Sequence, residues 1–200
     1  METINYRGYN IKVEADYDPM SCREWDNVGI MVCSHKRYNL GDEHDIAFDD
    51  FSSWDEVEAH LREDYDAIEV LPLYLYDHSG ITMNTTGFSC PWDSGQVGLI
   101  YTNKEQMDYI GLSSDTPSER IREILDGEVV TYDMYLRGEV YGFEVETADG
   151  EFIDACSGFY GDPEESGLLA EAKGIVDYEV SKLNRKLACT DFSQLASFLV

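Results

Sequence analysis

Val140-Tyr141-Gly142-Phe143-Glu144-Val145-Glu146-Thr147 and Glu151-Phe152-Ile153-Asp154-Ala155-Cys156, joined by Ala148-Asp149-Gly150, decide the fold. Two strand-like runs about a short turn closed by glycine read as an antiparallel hairpin. Helical patterns flank it on both sides. Upstream, Thr116-Pro117-Ser118-Glu119 is a helix start with proline at the first helical position. Ile121, Leu125, Val129, Tyr132 and Leu136 then keep helical spacing as far as Gly138, a natural residue just past a helix end. Downstream, Asp162-Pro163-Glu164-Glu165 opens a last long helix. Leu169, Ala172, Val176, Val180, Leu183 and Leu187 lie inside it, with Lys182, Arg185 and Lys186 near its end, where the helix dipole favours cations. A helix, a hairpin and a helix predict an α+β fold.

The remaining chain agrees. Tyr6, Tyr9, Ile11 and Val13 alternate about an Arg7-Gly8 break and predict a strand pair over residues 4–17. Val28 to Cys33 is an apolar strand, and Arg37 to Phe51 a long acidic loop. Ser53-Trp54-Asp55-Glu56 is a capping box for a short helix with Val57 and Leu61 on one face. Residues 67–76 read as a strand that Pro72 places at an edge or a bulge. Residues 81–88 and 96–101 are strand candidates around Cys90-Pro91-Trp92-Asp93-Ser94-Gly95, and Asn103 to Gln106 starts a further helix. The sum is a mixed or mainly antiparallel sheet with three to five helices, a single compact domain over residues 1–190 or at most two lobes. Residues 191–200 form an apolar tail, with Phe192, Leu195, Phe198, Leu199 and Val200, expected to pack on the body or on a second copy. Trp25-Asp26-Asn27-Val28-Gly29 and Trp92-Asp93-Ser94-Gly95-Gln96-Val97-Gly98 echo one another, which raises an internal duplication around residues 25–36 and 92–104.

Charge is the outlier of the composition. Forty-one acids against 14 Lys and Arg give a net charge of -27, while 12% aromatic residues argue for a real core rather than a disordered acidic chain. Such a field repels nucleic acid and anionic lipid and attracts a basic groove on another protein. Residues 42–69 hold twelve acids and one base, Arg62; residues 139–165 hold nine acids and no Lys or Arg. A folded surface of roughly 9,500 Å² spreads the net charge to about one per 350 Å². B-DNA carries about one per 110 Å². Only a protein that gathers its acids on one face approaches that density; the competing account is a solvated or salt-adapted surface. Five cysteines without a C-x-x-C pair, no signal-like start and no apolar run of about 20 residues predict reduced thiols in a cytoplasm and no membrane span.

No decisive catalytic or metal motif is present. The segment from Tyr76 to Gln96 is the densest in reactive groups, and Cys90 with His78 and Asp93 is the one candidate for cysteine-hydrolase chemistry or small-ligand binding. His35 and His44 beside Asp42, Glu43 and Asp45 lack the spacing of a zinc module or a calcium loop, so no metal and no cofactor are expected. Gly158-Phe159-Tyr160-Gly161-Asp162 before a helix suggests an anion seat, but Glu164 and Glu165 already satisfy that dipole.

Arg23 to Gly29, Tyr38 to Asp42, Leu71 to Gly98 and Gly158 to Gly167 resemble a family of small acidic proteins encoded by bacteriophages and other mobile elements. The resemblance implies a mobile-element setting, in which small acidic proteins act as antirestriction or anti-CRISPR inhibitors, some by imitating DNA. The expectation is therefore an inhibitor, not an enzyme, that occludes the basic nucleic-acid-binding surface of a host protein. Neither nucleic acid nor membrane would bind it directly, and a homodimer is compatible with the tail. Its expected carriers are Asp42, Glu43, Asp45, Asp49, Asp50, Asp55, Glu56 and Glu58, with Glu144, Glu146, Asp149 and Glu151 behind them. An enzyme or ligand binder at residues 78–96 and an acidic structural protein are the alternatives.

Overall fold

The computed structural model describes residues 2–197, with side chains placed through Leu187. These residues form an α+β protein with two four-stranded antiparallel sheets and four α-helices. The chain divides into two compact units, residues 1–19 with 138–200, and residues 20–137.

The first unit carries one sheet in the order β1(Glu2–Tyr6), β2(Tyr9–Ala15), β7(Val140–Thr147), β8(Phe152–Tyr160). Arg7 and Gly8 both have positive φ (50° and 85°), the two-residue turn whose twist suits a hairpin. The Arg7 side chain then pairs with Asp177 at 2.6 Å. The helix α4(Leu168–Ser197) covers one face of this sheet: Leu168, Leu169, Ala172 and Val176 meet Tyr9, Ile11, Val13, Phe143 and Val145 in a buried cluster. The helix starts six residues later than Asp162. The Asp162 carboxylate accepts from the amides of Glu164 and Glu165 and holds a turn, and Gly167, at φ +86°, separates that turn from the first helical residue. Gly158 belongs to β8, so the suggested anion seat is strand and turn. The backbone is helical through Ser197; the expected packing of the tail side chains from Phe192 onward, and all of Phe198 to Val200, lies outside the described residues.

The second unit is built on β3(Ile30–Cys33), β4(Glu69–Asp77), β5(Ile81–Asn84) and β6(Ser94–Thr102), in the order β3-β6-β4-β5. Pleating sends alternate residues to opposite faces. Val32, Val70, Leu99 and Tyr101 face α1(Trp54–Asp64), where Val57 and Leu61 close the layer. Against the other face packs α3(Ser118–Leu136), with Ile121, Leu125, Val129 and Tyr132 buried. A short α2(Lys104–Tyr109) follows β6. The cap forms with its return bond displaced by one residue: Ser53 accepts from the Glu56 amide, and Glu56 accepts from the Ser52 amide at 2.7 Å rather than from that of Ser53. Pro72 sits in β4 one residue before a bulge at Leu73/Tyr74. It is tolerated there because β5 pairs only with Tyr74 to Asp77, which leaves that flank of the strand open at residue 72. The strand predicted over residues 81–88 stops at Asn84, whose side chain accepts from the Thr86 and Gly87 amides and turns the chain. The echoing segments supply β3 and β6, which are neighbours in this one sheet, so the division into units does not follow the echo.

Candidate functional site

The acids fall into two kinds, those consumed by the fold and those left for a partner. Asp42 is of the first kind, which corrects its place among the expected partner-binding residues. Arg23, 6% exposed, donates to both Asp42 oxygens (2.9 and 2.7 Å), to Glu128 at 3.2 Å and to the Gly29 carbonyl at 2.6 Å. The same Asp42 carboxylate accepts from the Met31 amide at 2.8 Å, on the outer edge of β3. Burial alone would lower the Arg23 pKa, yet Asp42 and Glu128 outweigh it and leave the guanidinium raised. Burial holds the Glu128 carboxyl above its usual range, against the pull of the Val28 amide and Arg23. On the opposite edge of the sheet, Asp133 accepts from the Met83 amide (2.7 Å) and the Thr82 hydroxyl (2.6 Å). Glu69, 5% exposed, is held by Ser118 and by Arg122 at 2.6 Å. These four carboxylates close edges and fill internal polar positions.

A dense run of the second kind lies between residues 43 and 55. Glu43, Asp45, Asp49, Asp50 and Asp55 are exposed and have no ion-pair partner among the described residues. Apolar anchors alternate with them. Ile46 is buried, Phe48 packs edge-on against His44 and Trp54, and Phe51 lies against His60. Pinning the apolar side of the loop leaves the carboxylates on its outer side. Glu56 is part of the helix cap and Glu58 pairs with Arg62 at 2.8 Å, so these two are only partly available. The two histidines do not converge on a metal: the His44 ring contacts the Cys33 carbonyl at 3.0 Å, while His35 stacks on Tyr38. No metal-binding group of His, Cys, Asp or Glu occurs among the described residues.

In the other unit the expected acids are more committed. Lys12 donates to Glu146 at 2.5 Å and holds its carboxyl below the usual range, whereas a shared hydrogen bond with Glu146 holds Glu144 above it. Asp149 and Glu151 flank the hairpin turn and are exposed. No helix among the described residues is long and apolar enough to cross a membrane.

The segment from Tyr76 to Gln96 folds at one end of the second sheet. It brings His78, Cys90 and Asp93 together around one carboxylate oxygen. Asp93 lies in the middle, 3.5 Å from His78 Nδ1 and 3.6 Å from Cys90 Sγ. A cysteine nucleophile needs the imidazole beside the thiol; here the hydrogen-bond partner of the thiol is Asp93. Next to Asp93, Trp92 is 91% exposed. Asp77 accepts from Arg37 and from the Tyr38 hydroxyl.

Sequence reasoning missed the Arg23 clamp. The signal was present: Glu128 falls on the apolar stripe of α3 between Leu125 and Val129, where an acid demands a buried cation. No protein-family model matches this chain, and no curated protein or solved structure matches it.

Proposed function

We propose that the chain is a phage or mobile-element inhibitor that occupies the basic nucleic-acid-binding surface of a host defence or DNA-processing protein, with its acids in place of phosphates. The observation that carries this reading is the row Glu43, Asp45, Asp49, Asp50 and Asp55: exposed, without ion-pair partners among the described residues, and held outward by Ile46, Phe48 and Phe51. Fixed carboxylates bind a cationic groove with less ordering cost than a mobile acidic tail. The net charge of -27 steers encounter with such a groove and keeps nucleic acid away. Inhibition is then occlusion and needs no chemistry. Capture of host proteins on the immobilised chain, followed by elution with duplex DNA, tests it. The bound proteins should be basic and should leave with DNA; retention indifferent to DNA and to salt would speak against it.

A further inference from the structure

The 76–96 segment contains a cavity that occlusion by the acidic row does not use. His35, Arg37, Asp77, Trp92 and Asp93 line a depression of about 380 Å³ over Leu75 and Val97, which are 2% and 7% exposed. An apolar floor, an exposed indole wall and the Asp93 carboxylate form a definite recognition chemistry, while Asp77 is already held by Arg37 and the Tyr38 hydroxyl. Asp93 keeps acceptor capacity: its side chain is 40% exposed, and its contacts to His78 and Cys90 are long. A carboxylate offers about four lone-pair sites. The group that satisfies all three surfaces is a guanidinium. It stacks on an aromatic face, forks onto a carboxylate and lays its methylenes on an apolar floor. The protein displays the same recognition internally, since Arg37 pairs with Asp77 while its guanidinium carbon lies 5.3 Å from the centre of the Tyr38 ring.

We infer that the Trp92–Asp93 pocket anchors an arginine side chain of the protein partner. The inference rests on the reading of the chain as a ligand for a basic surface, and it names the residue type through which that surface is gripped. A nucleobase would also stack on Trp92 and donate to Asp93, but its phosphates would meet the field of a chain at -27.

Three probes separate these cases with the full-length chain: a ten-residue arginine peptide, a ten-residue lysine peptide and a single-stranded oligonucleotide. Binding is read by calorimetry and by the Trp92 indole N–H resonance. The arginine peptide should bind about three- to fivefold more tightly than the lysine peptide, the increment expected of stacking plus a forked ion pair. Trp92→Ala and Asp93→Asn should each erase that preference and leave lysine-peptide binding as it was. Trp92 is almost wholly exposed, so its removal leaves the fold intact, which circular dichroism checks. Equal binding of both peptides, or a preference that survives Trp92→Ala, overturns the pocket while leaving the basic-surface reading in place. Failure of both peptides to bind overturns the two together. Oligonucleotide binding that shifts the Trp92 signal overturns the arginine assignment in favour of a nucleobase.

Discussion

Arg23 ties two carboxylates and a backbone carbonyl of the second unit together. A guanidinium 6% exposed and held by two carboxylates and a carbonyl is stable only as a complete set. Removing it leaves Asp42 and Glu128 charged beside the sheet with no cation, and breaking a buried pair costs about 3–5 kcal/mol. Arg23→Ala should therefore lower the denaturant midpoint of the protein sharply. Arg23→Lys should recover only part of the loss, because an ammonium cannot reach both carboxylates and Gly29 in a fork. A midpoint unchanged in Arg23→Ala would mean the clamp adds nothing. Little of this was legible in the sequence. Arg23 and Asp42 are nineteen residues apart, in a single 3-10 turn and a loop, and such segments carry no periodicity from which a contact can be read. Glu128 was legible, since helical spacing alone puts it on the buried stripe. The thiols divide in the same way by burial, which pushes Cys22 up to about 11 and Cys33 up to about 12, while Cys156 is exposed.

Elements were easier to read than contacts. Strand alternation and helical spacing located β1, β2, β7 and α3, because each presents one apolar face to a core and one polar face to water. Readings failed at element ends, where single side chains decide: Asn84 stops β5, and Asp162 with Gly167 delays α4. How the second sheet protects its edges was also hidden. β3 and β5 each present a backbone N–H to a carboxylate from a distant segment, Met31 to Asp42 and Met83 to Asp133. β8, an edge of the other sheet, is blunted differently, with two register irregularities against β7. Asp133→Ala should leave the Met83 amide and the Thr82 hydroxyl without their acceptor and destabilise the protein by about 1–3 kcal/mol. Hydrogen exchange should show the Met83 amide losing protection first. Equal protection in wild type and variant would remove Asp133 from the account of the edge.

Across the whole chain the charge is shared in proportion to length: 24 acids against 8 Lys and Arg in residues 20–137, and 17 against 6 in the remainder. Much of the acidity is therefore repulsion the folded state must tolerate, offset by clamps that salt barely reaches. Screening shortens to about 3 Å at 1 M salt and weakens exposed repulsion far more than the Arg23 set. The melting temperature should rise between 10 mM and 500 mM sodium chloride, and a fall would mean that exposed ion pairs outweigh repulsion. Binding to a basic partner should respond in the opposite sense, because salt weakens the attraction on which it rests. The most direct measurement takes a host protein captured by the chain and follows its binding to duplex DNA as the chain is added. The wild-type protein should displace DNA competitively, with an affinity that falls at least about tenfold between 50 and 200 mM salt. A variant carrying Glu43→Gln, Asp45→Asn, Asp49→Asn, Asp50→Asn and Asp55→Asn should fold as well and displace poorly. Displacement by that variant equal to wild type, or an affinity unmoved by salt, would contradict the account.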